Sequence, residues 1–233
     1  MSSTRRTTFR IRRFTQGLVD PPRFEDFEVE AEPEESVLDV LQRIRLAHDP
    51  SLLYRSACHH GSCGTCGCTI DGVERLACVT KLGELDGEVV TVEPLSCSPC
   101  EGDLVVDTRG LYRDLSESWS VLRPIEGTEV TDDRSDAKAL LRLEDCIECF
   151  LCVSACPATG GEPPFMGPAA LAALHRELEK HPEQSPELRA LAASNRGVAL
   201  CQRAIDCSRR CPTGVAPARR IAMLRRALES PSE

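Results

Sequence analysis

Aromatic side chains are scarce in this chain: Phe, Tyr and Trp make up 4% of its 233 residues, with a single tryptophan. That leaves too few rings for an aromatic-rich core and too few stacking platforms for single-stranded nucleic acid. No run of 18 apolar residues occurs, so no segment reads as a membrane-spanning helix. The opening "MSSTRRTTFRIRRF" is charged and has no apolar stretch of the kind a secretory signal carries, so a cytoplasmic protein is expected. An excess of positive charge is also missing. The formal net charge is −9, which argues against nucleic acid as a partner. The sequence shows no phosphate-binding loop, no dinucleotide fingerprint and no evident nucleophile–base pair.

What the chain has instead is cysteine, 14 residues in all, of which eleven fall in spaced motifs. In a cytoplasmic chain of this length, clustered thiols point to metal binding before disulfides. Charge is unevenly spread: residues 1–133 carry a net −11 and residues 134–233 a net +2. Residues 201–226 hold seven arginines and one acid, Asp206. That end suits an acidic partner or a lipid headgroup layer, or is a plain solvated face.

The two halves differ in pattern. "TTFRIRRF" and "RFEDFEVE" alternate with period two, which predicts a strand pair. "SVLDVLQRIRLAHD" places Val37, Val40, Leu41 and Ile44 on one helical face, and Ser36 with Asp39 predicts a capping box at its start. A cysteine-rich loop, a short strand pair around "CTIDGVERLACVT" and the strand "EVVTVEPL" follow. Further on, strand alternation stops. Leu171, Leu174 and Leu178, then Ile221, Leu224 and Leu228, have helical spacing. The expected class is α+β: a plant-type ferredoxin β-grasp domain over residues 1–106, a connector over 107–137 with one short helix, and an all-helical bacterial-ferredoxin-like domain over 138–233.

"SACHHGSCGTCGC" gives Cys58-x4-Cys63-x2-Cys66, and Cys78 follows after eleven more residues. This is the plant-type [2Fe–2S] spacing, in which two irons each take two thiolates from a closely wrapped loop. Gly61, Gly64 and Gly67 leave the loop free to wrap tightly. A zinc knot would more naturally use two Cys-x2-Cys pairs. His59 and His60 inside the loop suggest a Rieske arrangement only if cysteines were lacking, which they are not. Cys68 reads as a plain buried thiol. The pair in "CSPC", Cys97 and Cys100, reads as two ordinary buried thiols, with a redox pair or a small metal site as the alternative.

The second half holds two related runs. Cys146-x2-Cys149-x2-Cys152-x3-Cys156-Pro157 is the bacterial ferredoxin run, whose fourth cysteine serves the other cluster. Cys201-x5-Cys207-x3-Cys211-Pro212 is its partner, with Ala204 at the middle cysteine position. Reciprocal sharing assigns Cys146, Cys149, Cys152 and Cys211 to a [4Fe–4S] cluster. Cys156, Cys201 and Cys207 remain for a third centre, expected to be [3Fe–4S] because Ala204 cannot bind metal. A cubane whose fourth iron is held by water or by Asp206 is the alternative.

This order of clusters, with "FMGPAAL" and "DCSRRCPTG" in place, resembles the iron–sulfur subunit of succinate dehydrogenase and fumarate reductase over nearly the whole chain. The resemblance implies an electron relay that docks on an FAD-containing flavoprotein and faces a membrane anchor with a quinone. It leaves haem b on the anchor open, and it implies a peripheral position on the inner face of the cytoplasmic membrane. The alternatives are a relay for another flavin dehydrogenase and a freestanding multi-cluster carrier. Two departures from the family pattern lie on the quinone side: "CPATGG" after Cys156, and Gln202 where the family often has histidine. Pro157, Thr159 and Gln202 are the candidate quinone-side residues.

Overall fold

The computed structural model describes residues 4–114, 145–180 and 185–229. It divides into two compact units: residues up to Arg109 together with Cys149–Ala155, and Gly110–Glu148 together with Cys156–Glu233. Most of the expected connector lies outside the described residues.

The first unit is built on a mixed sheet. Strands β1 (Arg5–Thr15) and β2 (Val19–Ala31) form a long antiparallel pair, Phe9 opposite Phe27. Alternation decides which faces are buried: Thr7, Phe9, Ile11 and Arg13 point in and their neighbours point out. Helix α1 (Val37–Ala47) packs on β2. It starts where the sequence predicts: Asp39 N donates to Ser36 Oγ at 3.2 Å, and Ser36 N donates to Asp39 Oδ2 at 2.9 Å. Val37, Leu38, Val40, Leu41 and Ile44 are buried beneath it. Each such side chain contributes about 1.5–3 kcal/mol of burial.

Strands β3 (Gly67–Ile70) and β4 (Val73–Leu76) make a tight hairpin. Asp71 and Gly72 both sit at positive φ, 49° and 73°, as a two-residue hairpin turn requires. Strand β5 (Val89–Glu93) lies parallel to β1 and antiparallel to β3, while β6 (Cys100–Gly102) and β7 (Val105–Val106) close the far edge. The strand order is β4-β3-β5-β1-β6-β7, with β2 on β1.

A buried clamp ties the approach to the cysteine loop to this sheet. Asp103 is fully buried; it accepts Phe14 N and Leu53 N, each at 2.8 Å. Arg13 Nε stands 3.1 Å from Asp103 Oδ1, and the same guanidinium pairs with Asp49 and with Glu25.

One-turn helix α2 (Arg109–Tyr112) follows the sheet, and one-turn helix α3 (Leu151–Ser154) returns to the first unit. The elements of the second unit that follow are α4 (Pro168–Lys180), α5 (Ser185–Ala192), the one-turn α6 (Asp206–Arg209) and α7 (Pro217–Glu229). Helix α4 packs on α5 and α7. Leu171, Leu174, Leu188, Ile221 and Leu224 form its core. The spacing that predicts helices at Leu171–Leu178 and Ile221–Leu228 falls within α4 and α7.

Candidate iron–sulfur sites

In the first unit, the loop between α1 and β3 presents Cys58 and Cys63 half-buried and Cys66 buried, and buried Cys78 follows β4. The loop is tight because Gly61 and Gly64 take positive φ, 76° and 69°, with His59 at 63°. The four thiols interact with one another. All four are free thiols: Cys58 shares a hydrogen bond with Cys63, and Cys66 shares one with Cys78 and lies near Cys63. Backbone N–H groups aim at the sulfur: Ser62 N donates to Cys58 Sγ at 3.3 Å. Donation from the His60 backbone and from Ser62 lowers the Cys58 thiol to about 5. Burial raises Cys66 to about 12. Their surroundings thus push the two thiols in opposite directions. A loop that shares four sulfurs and turns its N–H groups toward them fits a small iron–sulfur cluster.

His60 is occupied with the Cys58 carbonyl and Ser62, so neither ring nitrogen is free for iron in this geometry. Cys68 is buried in β3, and burial pushes its thiol up. Cys97 and Cys100 have different surroundings. Cys97 is pushed up to about 11 by burial and has Glu74 and Arg55 near it. Cys100 Sγ donates to Asp103 O at 3.3 Å and is likewise raised by burial.

The second unit holds the other thiols, except Cys149 and Cys152, which belong to the first. Cys146 and Cys211 pack against buried Ala172, Ala173 and Val215. Burial raises the Cys146 thiol, with Glu148 and Arg176 beside it. Cys156, Cys201 and Cys207 converge on one another: burial, then the neighbouring Cys156 and Cys201, push Cys207 up to about 11. These three line a cavity of about 350 Å³ with Pro157, Gln202, Ala204 and Asp206. Space for a multi-atom group beside three thiols suits an iron–sulfur cluster better than a single ion. Among the described residues no group of three or more His, Cys, Asp or Glu is set to chelate one metal ion.

The backbones of the two cysteine runs correspond. Glu148 and Phe150 take φ of 50° and 61° around Cys149; Arg203 and Ile205 take 60° and 59° around Ala204. Phe150 then caps α3 and Ile205 caps α6, both left-handed. The helices end alike: Ala155 N donates to Leu151 O and Val153 O, and Arg210 N donates to Asp206 O and Ser208 O.

Of the quinone-side candidates, Pro157 and Gln202 line the cavity. Thr159 is not part of its wall; its side chain bonds to the Cys156 thiol, and its N donates to Cys156 O at 3.0 Å. Asp206 lines the cavity and accepts from Arg209 at 3.2 Å. Arg225, which no sequence motif marks, lines the cavity and donates to Val198 O at 2.7 Å and to Cys201 O at 3.4 Å. The arginines of 201–226 are not one solvated face: Arg220 is buried and bonds to His175 and Glu179.

A ferredoxin-type loop on a mixed sheet, followed by paired Cys-Pro runs, defines a multi-cluster iron–sulfur electron-transfer protein. Residues 8–113 match the 2Fe-2S iron-sulfur cluster binding domain, and residues 142–215 the 4Fe-4S dicluster domain. The chain is 34% identical to the fumarate reductase iron-sulfur subunit of Mycobacterium tuberculosis, over 91% of this chain and 89% of that one. It is 30% identical to the mitochondrial succinate dehydrogenase [ubiquinone] iron-sulfur subunit of Candida glabrata, over 97% and 93%. Among solved structures, a chain of the Mycobacterium smegmatis Sdh1 complex in the apo form matches with a TM-score of 0.77 and 26% identity, covering 97% of this chain and 96% of that one. The protein belongs to the family of iron–sulfur subunits of succinate dehydrogenase and fumarate reductase, and it serves in electron transfer through [2Fe–2S], [4Fe–4S] and [3Fe–4S] clusters.

Proposed function

We propose that this chain relays electrons between the FAD of a flavoprotein partner and a quinone held by a membrane anchor, from a peripheral position on the inner face of the cytoplasmic membrane. Among the described residues no helix is long and apolar enough to cross a membrane, so attachment falls to the anchor. On this reading the domain bounds are 1–106 for the β-grasp domain, 107–137 for the connector and 138–233 for a domain that is all-helical among its described residues. The ligand sets are Cys58, Cys63, Cys66 and Cys78 for [2Fe–2S]; Cys146, Cys149, Cys152 and Cys211 for [4Fe–4S]; and Cys156, Cys201 and Cys207 for [3Fe–4S].

The observation that carries the ligand assignment is the backbone match of the two runs, with Ala204 at the position of Cys149. When bound, the clusters supply one-electron redox chemistry. The chain's own residues cradle and insulate them. Thr159 bonds to the Cys156 thiol, and Arg225 fixes the Cys201 carbonyl. The dicarboxylate site lies on another chain. Co-purification tests the reading: tagged chain should bring a flavin-containing subunit, and succinate should reduce the iron–sulfur EPR signals. A chain that purifies alone and accepts electrons only from soluble donors would mark a freestanding carrier.

A further inference from the structure

Gly67 follows Cys66 directly and opens β3. Its φ lies outside the left-handed region, so the backbone itself accepts any residue there. What excludes a side chain is space. A Cβ at Gly67 would stand 3.2 Å from the Cys149 carbonyl oxygen and 3.2 Å from Leu151 Cδ2. A side chain beside Cys66 would therefore press on the backbone of Cys149.

A separate contact holds the same segment. Ser154, buried at the end of α3, accepts Ser96 N at 3.0 Å, lies 3.1 Å from Ser96 Oγ, and donates to Glu74 Oε1 at 3.3 Å. Ser96 follows β5 and Glu74 lies in β4, so the sheet that carries the first cysteine loop also grips α3. Segment Cys149–Ala155 accordingly counts with the first unit.

We propose that Gly67 and Ser154 are positioning residues that set the separation between Cys66 and Cys149, and through it the rate of electron transfer between the [2Fe–2S] and [4Fe–4S] clusters. The inference rests on the ligand sets proposed above. The step is balanced: one electron leaves the reduced [2Fe–2S] centre, which is oxidised, and the [4Fe–4S] centre is reduced, with no bond or proton moved. Reduced flavin on the partner is the source and quinone the sink. The absence of a side chain at 67 keeps the gap short. A side chain at 67 widens it, and loss of the Ser154 bonds loosens it.

The test uses the assembled complex with Gly67→Ala, Gly67→Val and Ser154→Ala. Rapid-freeze EPR after mixing with succinate follows appearance of the reduced [2Fe–2S] signal and loss of the oxidised [3Fe–4S] signal. In the variants the first should keep its wild-type time course and the second should lag, more for Val than for Ala, reaching several-fold. Dithionite-reduced samples should show weaker magnetic coupling between the [2Fe–2S] and [4Fe–4S] signals, with each midpoint potential unchanged. Leu151→Ala combined with Gly67→Ala should recover part of the loss. If all three signals are present and neither lag nor coupling changes in Gly67→Val and Ser154→Ala, the inference is overturned and the ligand sets stand. If the wild-type complex lacks the three signals, the ligand reading itself falls. Should Gly67→Val fail to load clusters, Ser154→Ala, which leaves the 67 contact intact, decides alone.

Discussion

Cys149 and Ala204 occupy the same place in two matching turns. Each is flanked by a pair of left-handed residues, and each precedes a one-turn helix that ends in the same pattern of backbone bonds. One turn carries a thiol there and the other a methyl group. Ala204→Cys should therefore supply a fourth thiolate to the Cys156–Cys201–Cys207 site. The EPR signal of an oxidised [3Fe–4S] cluster should vanish, a [4Fe–4S] signal should appear on reduction, and the midpoint potential should fall because the added thiolate brings negative charge. An oxidised signal that persists unchanged would refute the correspondence.

Iron and acid-labile sulfide should be found together, with about nine irons per chain once all three centres are loaded. Metal analysis of anaerobically purified protein measures this directly. Zinc without sulfide would show that the thiols serve a different purpose.

The Asp103 clamp gives a stability prediction. Asp103→Ala orphans the Phe14 and Leu53 N–H groups and leaves Arg13 without one of its carboxylates. Breaking a buried, hydrogen-bonded ion pair costs about 3–5 kcal/mol. Urea denaturation should show that loss, with the [2Fe–2S] visible absorption disappearing at lower denaturant than the other clusters, since Leu53 leads into its loop.

Asp49 gives a pH prediction. Hydrogen bonds from Ser51, then the Arg13 guanidinium, lower its carboxyl from 3.8 to about 2. A lowered folded value means the stabilisation is complete above the unfolded value and disappears as pH falls through the folded one, here between about pH 4 and pH 2. Its size is on the order of 1 kcal/mol after allowing for solvent screening. The stability gap between wild type and Asp49→Asn should close over that window, and a constant gap down to pH 2 would contradict it.

The quinone side offers a further test. Gln202 lines the cavity, whereas Thr159 is committed to Cys156. Neither brings an aromatic ring or imidazole to a quinone head. Turnover of the complex should be higher with menaquinone analogues than with ubiquinone analogues, and Gln202→Ala should change it by no more than a few-fold. Faster turnover with ubiquinone, abolished by Gln202→Ala or Thr159→Ala, would show an ordinary ubiquinone site built on these residues.

What the sequence reveals here is what local pattern controls. The period-two runs around Phe9 and Phe27 mark β1 and β2, although the strands extend further at both ends than the alternation does. Ser36 and Asp39 mark the start of α1 because both halves of a capping box lie three residues apart. The non-glycine left-handed residues Glu148, Phe150, Arg203 and Ile205 carry no such mark, since glycine is the usual signal for positive φ. The Asp103 clamp is hidden for another reason: Arg13, Leu53 and Asp103 are joined only by the folded sheet. Adjacency says little about surroundings: Cys97 and Cys100 share a short motif yet have different neighbours. Gly67 sits in a glycine-rich loop where its wrapping role is visible, but its closeness to Cys149 is not.

Strand β1 finds its parallel neighbour only at Val89–Glu93, while the first cysteine loop lies between them in sequence. During synthesis, Cys58 to Cys78 therefore emerge from the ribosome before the strand that completes the sheet beneath them. The nascent loop is exposed at a stage when β1 has only β2 for support. Order of translation thus opens a period in which these thiols need protection from oxidation and from stray metals. Released fragments ending before residue 89 should have alkylatable thiols at Cys66 and Cys78, and fragments extending past β5 should shield them.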